Sequence, residues 1–305
     1  MFVEAHAAPP EEIVLDLDVT DTPLHGQQEE RFFHGYYGQY CYLPLYIFSG
    51  EHLLCARQRA SNQDASAGAK QEVERLVEQI RRRWPEVRII VRADSGFCRE
   101  ELMAWCEAHQ VHYVFGLARN ERLQAEVAPA MAEAKAEHQR TGQAARAFRQ
   151  FSYQTRQSWS RARRVIAKAE YLAKGENPRL VVTSLGTAAW PARELYEGLY
   201  CARGEMENRI KEQLSLFADR MSTETLRANQ LRLYFSAFAY VLLHALRRLA
   251  LAGTEGARAQ VATIRLRLLK IAAEVRLSAR RIWVRYARAY PWKTLFAAAW
   301  SALRC

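Results

Sequence analysis

No stretch of the 305 residues is an apolar run of 18 or more, so the sequence holds no candidate membrane-spanning helix. No secretory leader opens it, and a cytoplasmic protein without a membrane partner is the expectation. The six cysteines, at 41, 55, 98, 106, 201 and 305, stand alone. None has the paired short spacing of a zinc site, which leaves reduced thiols, with Cys98 and Cys106 as packing residues. Internal repeats and low-complexity tails are missing too. Acid is also in short supply: 33 Asp and Glu face 44 Lys and Arg, for a net charge of +11. That excess suits a polyanion, nucleic acid ahead of an anionic membrane surface. Half the residues are hydrophobic, an ordinary globular share and enough for a substantial core.

What is present begins at Ile13–Thr20, Ile-Val-Leu-Asp-Leu-Asp-Val-Thr, an apolar, β-branched strand candidate. Residues two apart share a strand face, so Asp16 and Asp18 lie on one side and Ile13, Leu15, Leu17 and Val19 on the other. A carboxylate on so apolar a strand is either at an exposed edge or is paired, hydrogen-bonded or metal-bound. Residues 21–40 are polar, Gly-punctuated and aromatic and read as a long functional loop. Cys41–Phe48 and His52–Arg57 form a hairpin pattern. A helix over 66–83, a strand over 87–92, a helix over 99–109 and a strand over 111–117 predict parallel pairing with crossover helices. Residues 120–143 read as a helix, and 148–159, 163–172 and 179–185 as strands of an inserted β subdomain. From 191 the pattern is helical over 192–217, 223–252 and 257–275. One possible strand, 277–286, precedes a last helix over 292–303.

Two further features answer the opening acids. Asp94 ends an apolar strand, at the end where open α/β sheets place their ligands; its alternative is to cap a helix that starts at once. On the helix after 192, Tyr200, Arg203, Glu207 and Lys211 fall on one face at steps of three and four. A surface salt-bridge stripe would give the same spacing.

Together these pieces resemble the DDE transposases of bacterial insertion sequences, in the branch with a Tyr-Arg-Glu signature and a β insertion. The resemblance rests on Asp18-Val-Thr20, Asp94 and Tyr200-x2-Arg203-x3-Glu207. Asp21-Thr-Pro-Leu-His-Gly-Gln-Gln-Glu, Arg92-Ala-Asp-Ser-Gly-Phe-Cys-Arg99 and Arg203-Gly-Glu-Met-Glu-Asn-Arg-Ile-Lys-Glu212 are similar to conserved blocks of the group 1 members. It covers nearly the whole chain. It implies an α/β fold: a ribonuclease-H-like mixed sheet flanked by helices, with an inserted β subdomain and a helical C-terminal part. The implied division is a flexible lead-in at 1–12, a first core part at 13–118, an insertion at 119–190, the Glu helix at 191–222 and a helical region at 223–305.

Carried over residue by residue, Asp18, Asp94 and Glu207 are the implied catalytic carboxylates and ligands of two Mg²⁺ ions, with Mn²⁺ as a substitute and Asp18 bridging the two. Asp16 is left as a supporting or fallback acid. Tyr200 and Arg203 are the implied supporting and DNA-contacting residues. The signature's Lys falls seven residues after the Glu, at Leu214, whereas Lys211 stands four after it. The implied function is Mg²⁺-dependent cleavage of double-stranded DNA at element ends and strand transfer into target DNA, by a homodimer in a synaptic complex. Only 17 residues precede Asp18, where family members usually carry an end-binding segment, so an N-terminally shortened form is expected. The alternatives are a DNA-binding remnant without full activity and a ribonuclease-H-like nuclease or resolvase. Basic residues in 146–179, with Tyr153 and Trp159 among them, offer a DNA surface or a solvated face.

Overall fold

A computed structural model describes residues 2–304. Its centre is a nine-stranded mixed sheet, in the order β11 (Gly175–Glu176), β10 (Arg163–Leu172), β12 (Arg179–Thr183), β8 (His112–Leu117), β7 (Arg88–Ala93), β1 (Glu12–Val19), β5 (Leu45–Ser49) and β6 (His52–Arg57), with β9 (Ala145–Tyr153) paired to β10. Strand β1 (Glu12–Val19) lies inside this sheet. It runs parallel to β7 (Arg88–Ala93) and antiparallel to β5 (Leu45–Ser49). Ile13, Leu15 and Leu17 are at most 2% exposed, and Asp16 and Asp18 only 4% and 9%, so β1 is no solvent-facing edge.

The rest follows the sequence pattern except in residues 21–40, in the added strands and in the chain after 191. First, residues 21–40 form no open loop. β2 (Thr22–Pro23), β3 (Phe32–His34) and β4 (Gln39–Tyr42) pair into a small antiparallel sheet, because Phe32 and Phe33 register against Cys41 and Tyr40. β5 then pairs with β6 (His52–Arg57), as the hairpin pattern predicted. α1 (Ala69–Arg83) buries Val73, Leu76, Val77 and Ile80 and ends on Arg81, Arg82 and Arg83, where cations favour the helix C-terminus. β7, α2 (Glu100–Ala108) and β8 (His112–Leu117) make the parallel crossover, with β7 beside β8.

Second, the strands expected as an inserted β subdomain extend the main sheet instead of building one of their own. α3 (Glu121–Thr141) starts on the Asn120 cap and stops at Gly142, whose φ of 70° is the left-handed conformation that glycine adopts without strain. β9 (Ala145–Tyr153), β10 (Arg163–Leu172), β11 (Gly175–Glu176) and β12 (Arg179–Thr183) follow, and β12 pairs antiparallel with β8. Helices α1, α2 and α3 cover one face, where Leu15, Leu17, Ile89 and Val91 join the largest core cluster.

Third, the helix predicted over 192–217 is segmented. α4 (Ala192–Glu194), a π-helical stretch (Leu195–Tyr200), a 3₁₀ turn (Cys201–Arg203), α5 (Gly204–Gln213) and a second π-helical stretch (Leu214–Ala218) succeed one another. This run covers the opposite face, where Leu195, Tyr196 and Leu199 pack on Ile90, Val114, Ile166 and Val181. α6 (Leu226–Ala250) starts on the Thr225 cap and lays Leu233, Tyr240 and Leu243 against Tyr42, Tyr46 and Phe48. α7 (Val261–Ile264) and a short π-helical stretch (Arg265–Leu269) replace the long helix expected over 257–275. The single strand expected at 277–286 is instead a hairpin of β13 (Ala273–Leu277) and β14 (Ile282–Tyr286), before α8 (Lys293–Leu303). Among the described residues no helix is long and apolar enough to cross a membrane. Cys41, Cys55, Cys98, Cys106 and Cys201 are free thiols; Cys305 lies outside the described residues.

One buried charge cluster ties the added strands together. The Glu170 carboxylate accepts hydrogen bonds from Lys168 (2.7 Å), Arg146 (2.6 Å) and Asn177 (2.7 Å). Burial pushes its carboxyl up, but these donors outweigh burial and hold it down at about 2. A lowered folded-state value means stability present above the unfolded value of about 4.3 and lost as pH falls toward the folded one. Glu170→Ala should cost roughly 3 kcal/mol at neutral pH, because Lys168 is left buried without its partner. In urea melts, the gap between wild type and Glu170→Gln should close between about pH 4 and pH 2.

Candidate active site

Position 92 sets the site's geometry. The parallel register of β1 and β7 puts Asp16 beside Arg92. The Arg92 guanidinium donates to both Asp16 oxygens, at 2.5 and 2.7 Å, and to the backbone carbonyl of Leu199. Both side chains are under 10% exposed. A two-pronged buried pair with its remaining donor satisfied escapes the cost of an isolated buried charge. Asp16 is thereby occupied as a clamp: it fastens the 195–203 segment, one residue before Tyr200, onto the central strands.

Asp18 is one pleat further along the same face. Its Oδ2 accepts from Arg203 Nη1 at 2.9 Å, and its Oδ1 accepts from the Val19 backbone N–H at 2.9 Å. Arg203 also reaches one turn forward to Glu207, with Nη2 3.7 Å from Oε1. Burial first, and then the charges of Asp94 and Glu207, push the Asp18 carboxyl up to about 6 against the pull of Arg203. Arg203 is pushed up by Asp18, Tyr200, Asp94 and Glu207 against its burial. These residues therefore share one electrostatic neighbourhood, although they come from β1, the end of β7 and the segmented helix. Glu207 is exposed and Asp94 half-buried.

Asp94 does have a capping role: its Oδ1 accepts from the Gly96 N–H at 2.8 Å, capping the short 3₁₀ turn Ser95–Phe97. It does not cap α2, whose first flanking residue is Arg99. Lys211 does not join the group. It is exposed and lines a separate cleft with Glu51, Glu212, Arg247 and Arg258. The basic residues of 146–179 are largely committed as well. Arg163 forks onto Glu100 and Glu107, Lys168 and Arg146 hold Glu170, and Tyr153 and Trp159 are buried.

Two residues escaped sequence reasoning. Gly116 sits inside β8, where a Cβ would lie 2.7 Å from the Tyr200 hydroxyl and 2.8 Å from the Ser95 nitrogen. Only glycine lets Tyr200 and the Asp94–Ser95 backbone come that close. The available signal was a glycine within an apolar strand, which marks a close approach. Tyr37 is the second: burial, then Asp21 and Asp18, push its hydroxyl up to about 12, so the turn between β3 and β4 lies within electrostatic range of Asp18. No motif spacing reveals that neighbourhood.

Carboxylate oxygens are the donors preferred by hard divalent cations. A carboxyl raised by burial and by two like-charged neighbours gains from a nearby cation. Asp18, Asp94 and Glu207 therefore fit a divalent ion in donor chemistry. Among the described residues, no three His, Cys, Asp or Glu side chains converge into a ready metal cage; Arg203 spans Asp18 and Glu207 instead.

Two outcomes follow for the supporting residues. Asp16→Asn should lower unfolding stability by roughly 3–5 kcal/mol in denaturant titrations, since it leaves Arg92 buried without its carboxylate; Asp18→Asn should cost far less. Gly116→Ala should fold but lose roughly 1–3 kcal/mol through overpacking, as read from urea melts.

The family described as Transposase DDE domain group 1 matches residues 1–305. No curated protein matches the chain. Among solved structures, a cryo-EM structure of the piggyBac transposase synaptic complex with hairpin DNA is similar, at a TM-score of 0.45 and 10% identity. The likeness covers 85% of this chain and 52% of that one, so the chain spans about half the length of that relative. With its full length matched, this chain belongs to the group 1 transposase DDE domain family.

Proposed function

We propose that this protein is a DNA transposase, cleaving phosphodiester bonds at the ends of a mobile element and joining the freed 3′ end to target DNA. The observation that carries this reading is Arg203, which reaches both Asp18 and Glu207, with Asp94 within electrostatic range of both Asp18 and Arg203. Three acids and a guanidinium gathered on a mixed sheet suit phosphoryl transfer.

In this reading Asp18, Asp94 and Glu207 hold two Mg²⁺ ions, for which Mn²⁺ substitutes. When bound, such ions lower the pKa of attacking water and neutralise charge on the leaving oxygen. Asp18 gives the most buried ligand, fixed by β1 and by the Val19 N–H. Arg203 turns from its carboxylates to a non-bridging phosphate oxygen near the scissile bond, where a guanidinium fork binds well. Tyr200 shapes the wall of the site over Gly116. Asp16 and Arg92 touch no DNA and keep the segment in register. The partners are double-stranded element ends and target DNA, handled by a homodimer in a synaptic complex in the cytoplasm.

Asp18→Ala, Asp94→Ala and Glu207→Ala should each lower Mg²⁺-dependent cleavage of end-containing duplexes by roughly a thousandfold or more, about 4 kcal/mol of barrier. Circular dichroism should show each variant folded. Cleavage at the wild-type rate in any one of them removes that residue from the site. Strand-transfer products on a supercoiled target, separated on agarose, distinguish a transposase from a nuclease that leaves nicks alone.

A further inference from the structure

The β13–β14 hairpin is the most exposed regular element of the fold: all ten strand residues are solvent-exposed. An isolated two-stranded ribbon is marginal in water, so one held out from the body in this way is suited to an external partner. Its register sorts the side chains by face. Ala273, Val275 and Leu277 stand opposite Tyr286, Val284 and Ile282, making one face apolar. Glu274 and Arg276 stand opposite Arg285 and Trp283, making the other polar. The tight turn, closed by the Ser278 N–H donating to the Arg281 carbonyl at 2.9 Å, adds Arg280 and Arg281 at the tip.

Five arginines (276, 280, 281, 285 and 288) face a single acid in residues 273–288. Glu274 pairs with Arg276 at 2.7 Å and lies 4.0 Å from Arg285. No ion pair engages Arg280, Arg281 or Arg288 among the described residues. The guanidinium of Arg281 lies 5.9 Å from the Trp283 ring, which stiffens the tip. The base of the ribbon is anchored where Tyr286 meets Phe296 of α8, with ring centroids 5.0 Å apart.

We propose that this ribbon is a duplex-DNA-binding arm, which lays its arginine-bearing face in the major groove. The B-DNA major groove, about 12 Å wide, admits a two-stranded ribbon, and its arginines, in excess over the one acid, supply both phosphate contacts and bidentate contacts to guanine edges. The deep, narrow major groove of A-form RNA does not admit such an element. The arm deepens the transposase reading and rests on it for the choice of DNA as the polyanion. It supplies a grip on the duplex that none of the acids of the site provides.

The test uses the full chain and a variant with Arg276→Gln, Arg280→Gln, Arg281→Gln and Arg285→Gln. Binding to a fluorescent 30-base-pair DNA duplex is followed by anisotropy across a salt series, with circular dichroism and light scattering on both proteins. The variant should stay folded with unchanged mass and lose affinity. The slope of log K against log salt should become shallower by roughly 3, since each lost phosphate contact removes about 0.9. A double-stranded RNA of the same sequence should compete poorly with wild type. An unchanged slope, or RNA that competes as well as DNA, overturns the arm. So does a Val275→Ser, Ile282→Ser variant that lowers the molecular mass and the DNA affinity while the arginine variant does neither, because the ribbon is then a self-association element. Mg²⁺-dependent cleavage is measured in parallel. If wild type and Asp18→Ala both fail to cleave while the slope difference holds, the transposase reading fails and the arm stands.

Discussion

The Arg92 guanidinium is the contact on which the site depends. It joins three pieces of chain far apart in sequence: β7, which carries it, β1 through Asp16, and the segmented helix through the Leu199 carbonyl. A buried arginine is costly unless all its strong interactions are made, and here one carboxylate and one carbonyl make them. Because the pair is two-pronged, it fixes orientation as well as distance. Tyr200, Arg203 and Glu207 are thereby presented to Asp18 and Asp94 in a set register. Asp16 and Asp18 thus divide two tasks between neighbouring positions of one strand face.

The helical breaks fit the same constraint. A regular α-helix over 192–218 would run past the sheet with an even stripe. The π-helical stretch at Leu195–Tyr200 and the 3₁₀ turn at Cys201–Arg203 change its winding at the residues that meet the acids. Such breaks concentrate at functional positions. Gly116 completes the fit from the other side, where the absence of a side chain admits the Tyr200 hydroxyl.

Charge is spent unevenly over the surface. Part of the basic character of 146–179 is committed to acids: Arg146, Arg163 and Lys168 bind Glu100, Glu107 and Glu170 and fasten the added strands. The arginines of β13–β14 and its turn meet one acid only. Net charge therefore pointed to a polyanion, while the location of the free cations depended on which acids the fold brought near.

The sequence by itself determined the family and most of the longer elements before residue 191. Apolar, β-branched content marked β1 and β7, and the hairpin pattern marked β5 and β6; apolar spacing marked α1, and Ala and Glu content marked α3; and three motif blocks in order carried the resemblance. These signals are local, reaching a few residues along the chain. Tertiary structure decided what depends on long-range pairing. The β2–β4–β3 sheet was hidden because its strands are two to four residues long. The added strands joined the main sheet because β12 found β8, and the final hairpin looked like one strand because its turn carries no Gly or Pro. Which of two adjacent acids is a clamp and which stands at the site was set by the register of β1 on β7, since that alignment alone puts Arg92 beside Asp16.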